Sequence, residues 1–220
     1  MKYQKTRRMI KTDTKIIIGT AHTGRTPGKC SPDGRFRESV YSRERAAEVA
    51  AALEAKGFDV TIDYMPLEPK PEWISKYVKT EQSRELNYRV AIVNQMCKRY
   101  PGKVIYVSMH TDAAPGSGWQ NARGLSVRVC RGASQKSKLL ARDLYEAGAA
   151  RGLKGNRSVP KEKYWVQDLY VLRKTCCPAV LTETLFQNNK ADVDFLLSDE
   201  GKRAVVNFHV EGIINFIESV

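Results

Sequence analysis

Two of the three histidines in this sequence of 220 residues close apolar runs. Ile16-Ile17-Ile18-Gly19-Thr20-Ala21 leads into His22, and Val104-Ile105-Tyr106-Val107-Ser108-Met109 leads into His110. A third run, Ala179-Val180-Leu181-Thr182, ends on Glu183. Ligands of open α/β sheets bind beyond the carboxyl ends of the strands. If these three runs are parallel strands, His22, His110 and Glu183 gather at one sheet edge. Two neutral imidazoles and a carboxylate are the donor types of a zinc hydrolase. A catalytic zinc takes three protein ligands and keeps one position open, so a third ligand is wanted besides a general base. Asp33, Glu38 and Glu44 follow His22 at suitable distances along the chain. Glu38 falls at the start of a helical pattern, which would aim its carboxylate back at the sheet edge. Composition and spacing do not separate the three.

Each of these residues has a structural alternative. A single histidine is more often a satisfied structural residue than a ligand, and it is the coincidence at two strand ends that shifts the balance. His209 lies among Val205, Val206 and Phe208 in an apolar helical pattern and reads as structural. Asp112 would orient a ligand or cap a turn. Glu183 emerges from an apolar strand, where a carboxylate is costly unless solvated or paired. The five cysteines form no C-x-x-C pair, which argues against a thiolate zinc site. Adjacent Cys176 and Cys177 would bridge each other only with strain, so the thiols are read as reduced.

The elements that must position these residues alternate. Strands are expected at 15–19, 58–62, 104–109, 124–129, 170–172 and 179–182. Helices are expected at 38–56, 83–99, 134–152, 191–197 and 201–217, several with a Ser N-cap or a closing Gly. Residues 63–80, with Pro66, Pro69 and Pro71, read as a surface loop, and 153–167 as polar and irregular. This order argues for a single α/β domain, with a mostly parallel sheet of about six strands and helices on both faces.

Hydrophobic residues at 42% and charged residues at 28% exclude a disordered chain, and no apolar run approaches a membrane span. The basic start (Lys2, Lys5, Arg7, Arg8, Lys11) is followed by no apolar h-region, so a secretory signal is not expected and synthesis in the cytoplasm is. The formal net charge of +13 points to a polyanionic partner, either nucleic acid or an anionic cell envelope. Nucleic acid has only the charge in its favour, since no binding module is recognisable.

The ordered set of motifs resembles the zinc-dependent N-acetylmuramoyl-L-alanine amidases of the type-3 class, from about Ile16 to the C-terminus. Ala21-His22-Thr23-Gly24 stands where the family has a Gly-His-Gly-Gly-like turn, Glu38 matches its helix-start ligand, and Ser108-Met109-His110 its Ser-x-His strand end. Leu86, Arg89 and Asn94 fit an upstream helix pattern. Leu169 to Arg173 and Cys177 to Glu183, continuing to Phe186, Asn189 and Asp192, form the strongest stretch. The departures are Ala21, Thr23 and Leu185 in place of glycines, and Gly124-Leu125-Ser126-Val127 where a Glu is usual.

The resemblance implies Zn²⁺ held by His22, Glu38 and His110, with Glu183 as catalytic base. It implies hydrolysis of the amide between N-acetylmuramic acid and L-alanine of peptidoglycan. Arg173 and Arg89 are then candidates for peptide-stem carboxylates, with structural ion pairs as the alternative. The catalytic domain would be 15–220, behind a basic extension at 1–14. A phage-type endolysin, released by a holin-type partner, would reconcile a cell-wall substrate with the lack of an export signal. A non-catalytic peptidoglycan-binding regulator, or a zinc peptidase acting on another peptide, is the alternative.

Overall fold

The computed structural model describes residues 13–220. Among these, the strands β1 (Lys15–Thr20), β2 (Asp59–Ile62), β3 (Val104–Asp112), β4 (Ser126–Val129), β5 (Trp165–Val166) and β6 (Ala179–Phe186) form one sheet. The spatial order is β2-β1-β3-β6-β4-β5. All neighbours run parallel except β4 and β6. The helices are α1 (Glu38–Glu54), α2 (Val78–Arg99), α3 (Gln135–Ala149), α4 (Tyr170–Lys174), α5 (Lys190–Leu197) and α6 (Asp199–Ser219).

The central strands are apolar throughout because both faces are covered. Successive side chains alternate between faces. Ile16, Ile18, Ile105, Val107 and Val180 therefore join the core shared with α1, α3 and α6. Ile17, Val104, Tyr106, Ala179 and Leu181 join a smaller core with Val93 of α2 and Val171 and Leu172 of α4. Close approach is bought with missing side chains at two positions. A Cβ on Gly212 of α6 would lie 2.6 Å from the Leu144 Cα of α3. A Cβ on Gly19 would overlap the Tyr106 hydroxyl, which donates to Asp63 beneath the site.

The expected α/β architecture is present, with local corrections, and β3 and β6 run past their expected ends at 109 and 182 to Asp112 and Phe186. Residues 170–172 are helical, not extended: the Leu169 carbonyl accepts from Leu172 and Arg173 N–H at 3.1 and 2.9 Å. Val171 and Leu172 are both buried there, and three apolar residues are too few to reveal a period. The sixth strand is instead β5, inside the stretch expected to be irregular, pairing Trp165 and Val166 with Arg128 and Val129. α2 also begins earlier than expected, at Val78, and Ser83 lies inside it. The basic extension at 1–14 lies outside the described residues, apart from Asp13 and Thr14. No helix among the described residues is long and apolar enough to cross a membrane.

Candidate active site

The carboxyl ends of β1, β3 and β6 meet the N-terminus of α1. Glu183 sits in register with His110 on one side and with Ser126 of β4 on the other. Glu38, first residue of α1, is 1% exposed. Its Oε1 accepts from Thr111 N–H at 3.2 Å and contacts His110 Nδ1 at 3.0 Å. Its Oε2 lies 3.6 Å from His22 Nε2 and has no hydrogen-bond partner. The two imidazoles stand edge to face, with centroids 5.1 Å apart. One ligand atom from each of His22, Glu38 and His110 lies within 4.8 Å of the others.

The other two carboxylates that spacing left open are placed elsewhere. Asp33 accepts from the Ser31 hydroxyl and from Arg35. Glu44 is about half exposed beside Arg45.

His22 lies beyond the last residue of β1 in a left-handed conformation, φ 47°. Such a conformation is costly for a residue with a Cβ and persists where its surroundings over-determine it. Here Arg43 donates to the Ala21 and His22 carbonyls at 2.9 and 2.7 Å. Ser42 accepts from Ala21 N–H and donates to the Met109 carbonyl, both at 2.8 Å, so α1 ties the ends of β1 and β3 together.

Arg89 completes the clamp. It is 2% exposed, and its five N–H groups are matched by five contacts: two to Glu85 Oε1, one each to Asp63 and Thr20, and a long one, 3.4 Å, to the His22 carbonyl. No donor is left over for a substrate carboxylate. Arg173 is exposed, pairs with Asp168 at 2.8 Å, and lies outside the lining of the cleft. Of the two arginines considered for substrate, Arg89 lines the cleft with its donors committed to buried partners, and Arg173 lies outside it.

Burial sets the protonation of the group. It holds the His22 imidazole neutral, its pKa lowered to about 3. Burial pushes Glu38 upward, but the His110 hydrogen bond and the electrostatic pull of His22, His110 and Lys29 outweigh it, leaving a pKa of about 2. Glu183 goes the other way: burial, with help from Asp112 and Glu38, raises it to about 7 against the pull of His110 and Arg128. Its Oε1 lies 3.7 Å from Arg128 Nη1, and its Oε2 is buried without a partner.

Asp112 accepts from the N–H of Ala113 through Oδ1 at 2.9 Å, and its Oδ2 serves two arginines. It accepts from Arg128 at 2.6 Å and from Arg157 at 2.8 Å, fixing the guanidinium that faces Glu183. Sequence reading passed over Arg128 and Arg157. The alternation Ser126-Val127-Arg128-Val129 did carry a signal, an arginine on the same strand face as a buried serine. Above this floor opens a cleft of about 360 Å³, walled by Gln82, Glu85 and Leu86 of α2 and by the segment Leu169 to Val171, with Lys29 at its rim.

The chain resembles known proteins in sequence and in fold. The endolysin of Bacillus phage SPP1 is 31% identical over 146 residues, covering 65% of this chain and 52% of the endolysin. The probable cell wall amidase LytH of Staphylococcus saprophyticus is 26% identical over 202 residues, covering 91% of this chain and 57% of that protein. The chain thus spans about half the length of the curated relatives it matches. The fold is shared with the CwlD amidase of Clostridioides difficile, solved in complex with the GerS lipoprotein. The TM-score is 0.78 at 19% identity, covering 94% of this chain and 100% of that one. The family description N-acetylmuramoyl-L-alanine amidase (Amidase_3) matches residues 16–215, and the chain belongs to that family.

Proposed function

We propose that this chain hydrolyses the amide bond between N-acetylmuramic acid and L-alanine of peptidoglycan in a zinc-dependent reaction. The observation that carries the reading is the Glu38 carboxylate, buried between His22 and His110 with Oε2 left without a hydrogen bond. A buried, unpartnered carboxylate oxygen costs free energy unless a cation meets it. The donor set of two imidazoles and one carboxylate fits Zn²⁺, whereas Mg²⁺ and Ca²⁺ favour oxygen ligands throughout. His22, Glu38 and His110 would hold the ion. When bound, zinc supplies Lewis acidity that polarises a scissile carbonyl and acidifies water.

The remaining chemistry belongs to Glu183. Its carboxylate, with Arg128 3.7 Å from Oε1, would take the proton of the attacking water and pass it to the departing alanine nitrogen. A carboxyl tuned to about 7 is suited to both halves of that transfer near neutral pH. The cleft between α2 and α4 would receive the peptide stem. Residues 15–220 form the proposed catalytic unit, with 1–14 as a basic extension. Similarity to a phage endolysin supports action on the cell wall after holin-type release from the cytoplasm, and the net charge of +13 would favour an anionic envelope.

The test is digestion of purified peptidoglycan followed by mass spectrometry. Stem peptides with a free L-alanine amino group and intact glycan chains are expected, lost on chelation and restored by zinc. A folded, zinc-loaded protein that releases no peptide would overturn the proposal in favour of a non-catalytic wall binder.

A further inference from the structure

A group of three thiols stands at the other end of the sheet from the proposed metal ligands, and the chemistry above makes no use of it. Cys97, in the last turn of α2, lines a cavity of about 280 Å³ with Cys176 and Cys177, which precede β6. Val104, Pro178 and the exposed Lys98 line the same cavity. The approach is held by Asn94, one turn before Cys97. Its Nδ2 donates to the Lys174 carbonyl at 2.9 Å, and its Oδ1 accepts from Cys176 N–H at 3.0 Å. The loop carrying the two adjacent cysteines is therefore pinned against the helix carrying the third.

Adjacent cysteines bridge each other only with strain, whereas Cys97 comes from a separate element and is free to meet either. Cys177 is the better placed partner, being partly buried and packed with Cys97 in the smaller core, while Cys176 is exposed. Cys97 also has thiolate character: its interaction with the Cys177 thiol lowers its pKa to about 6 against the opposing effect of burial, and Cys177 rises in response. An accessible thiolate beside a second thiol is the arrangement of an exchange-active pair.

We propose that Cys97 and Cys177 form a dithiol site for low-molecular-weight disulfides, closing to an intramolecular disulfide that links α2 to the loop before β6. The Cys97 thiolate attacks a disulfide RSSR, forming Cys97–S–SR and releasing RS⁻. Cys177, on losing its proton to solvent, displaces the second RS⁻ and forms the Cys97–Cys177 bond. Two protein thiols are oxidised as one RSSR is reduced to two thiols. The elements so joined carry the two walls of the cleft, since Leu86 lies on α2 and Leu169 to Val171 lead into Cys177 through α4. The proposal is independent of the reaction catalysed.

The experiment is incubation of the purified chain with oxidised glutathione, followed by tryptic mapping without reduction. A disulfide-linked pair of peptides, 90–98 with 175–190, is expected in the wild type and in Cys176→Ser, and is expected to be absent in Cys177→Ser. Oxidation should also raise the thermal midpoint by on the order of 10 °C, because the bridge closes a long loop. The wild-type linkage is read without any variant, so a misfolded substitution cannot obscure it. Absence of the linked pair in wild type, or its dependence on Cys176 instead of Cys177, would overturn the assignment.

Discussion

Glu38 and Glu183 are both buried carboxylates at the same sheet edge, yet their surroundings drive them in opposite directions. Glu38 faces two imidazoles and Lys29 and stays ionised down to about pH 2. Glu183 gains less from its neighbours than burial takes away, and holds its proton up to about 7. That contrast fits the proposed division of roles, Glu38 as ligand and Glu183 as proton carrier. Glu183→Gln should retain zinc, read by metal analysis, and lose turnover by roughly 10²–10⁴-fold; near-normal turnover would remove Glu183 from the mechanism. Glu38→Gln should lose zinc first, and an unchanged zinc content would mean the third ligand is another group. Arg89 gives a different contrast. Its removal strands Asp63 and Glu85, both nearly inaccessible, without their cation. Arg89→Met should cost roughly 3–5 kcal/mol in urea unfolding, while Arg173→Ala should change stability by less than about 0.5 kcal/mol. An Arg89 variant of full stability whose only defect is a raised KM would return it to the substrate.

At the scale of elements, α6 is joined to the sheet by His209. Its Nε2 contacts Thr182 Oγ1 at 2.9 Å, and its Nδ1 the Val205 carbonyl at 2.8 Å. Burial lowers its pKa from 6.5 to about 4, despite the bond to Val205 that opposes the shift. Above about pH 6.5 the ring is neutral in both folded and unfolded chains and costs nothing. As the pH falls towards 4, the unfolded chain takes up a proton that the folded one refuses, and stability is lost. The loss attributable to His209 at pH 4.5 should be roughly 2–3 kcal/mol. Urea unfolding at pH 7 and pH 4.5 should therefore show a smaller pH effect in His209→Gln than in wild type. Equal pH effects would mean that the ring is protonated in the fold.

How much of this was legible in the sequence depends on the range of the interaction. The strands that carry His22, His110 and Glu183 to one sheet edge were readable because apolar runs are local, whereas their ends were not: β3 and β6 continue to Asp112 and Phe186. The structural role of His209 was readable from its apolar neighbours. The choice of Glu38 over Asp33 and Glu44 rested on the family resemblance, because it depends on contacts to His110 and Thr111, over seventy residues away. For the same reason the partners of Arg43, Arg89 and Arg157 were illegible, since each reaches another element, although an ion pair at Arg89 was among the readings. β5 is two residues long and had no periodicity to show.

For the whole molecule, the excess of positive charge stands apart from the chemistry of the cleft. The net charge of +13 is spread over exposed side chains such as Arg131, Lys136, Lys154, Lys161 and Arg173, none of which lines the cleft. A long-range attraction of this kind is screened over about 10 Å at 0.1 M salt and about 3 Å at 1 M. Charge pairs in the buried floor, such as Arg89 with Asp63, are screened far less. Salt should therefore separate adsorption from hydrolysis. Raising the ionic strength from about 0.05 to 0.5 M should lower adsorption to sedimented anionic walls several-fold. Cleavage of a small soluble muropeptide should change by less than about two-fold over the same range. Adsorption that ignores salt would mean that the wall is recognised through shape or hydrogen bonds and that the surface charge has another use. A parallel loss of both activities would place the salt-sensitive contact inside the cleft, where Lys29 Nζ lies 4.0 Å from Glu38 Oε2 at the rim.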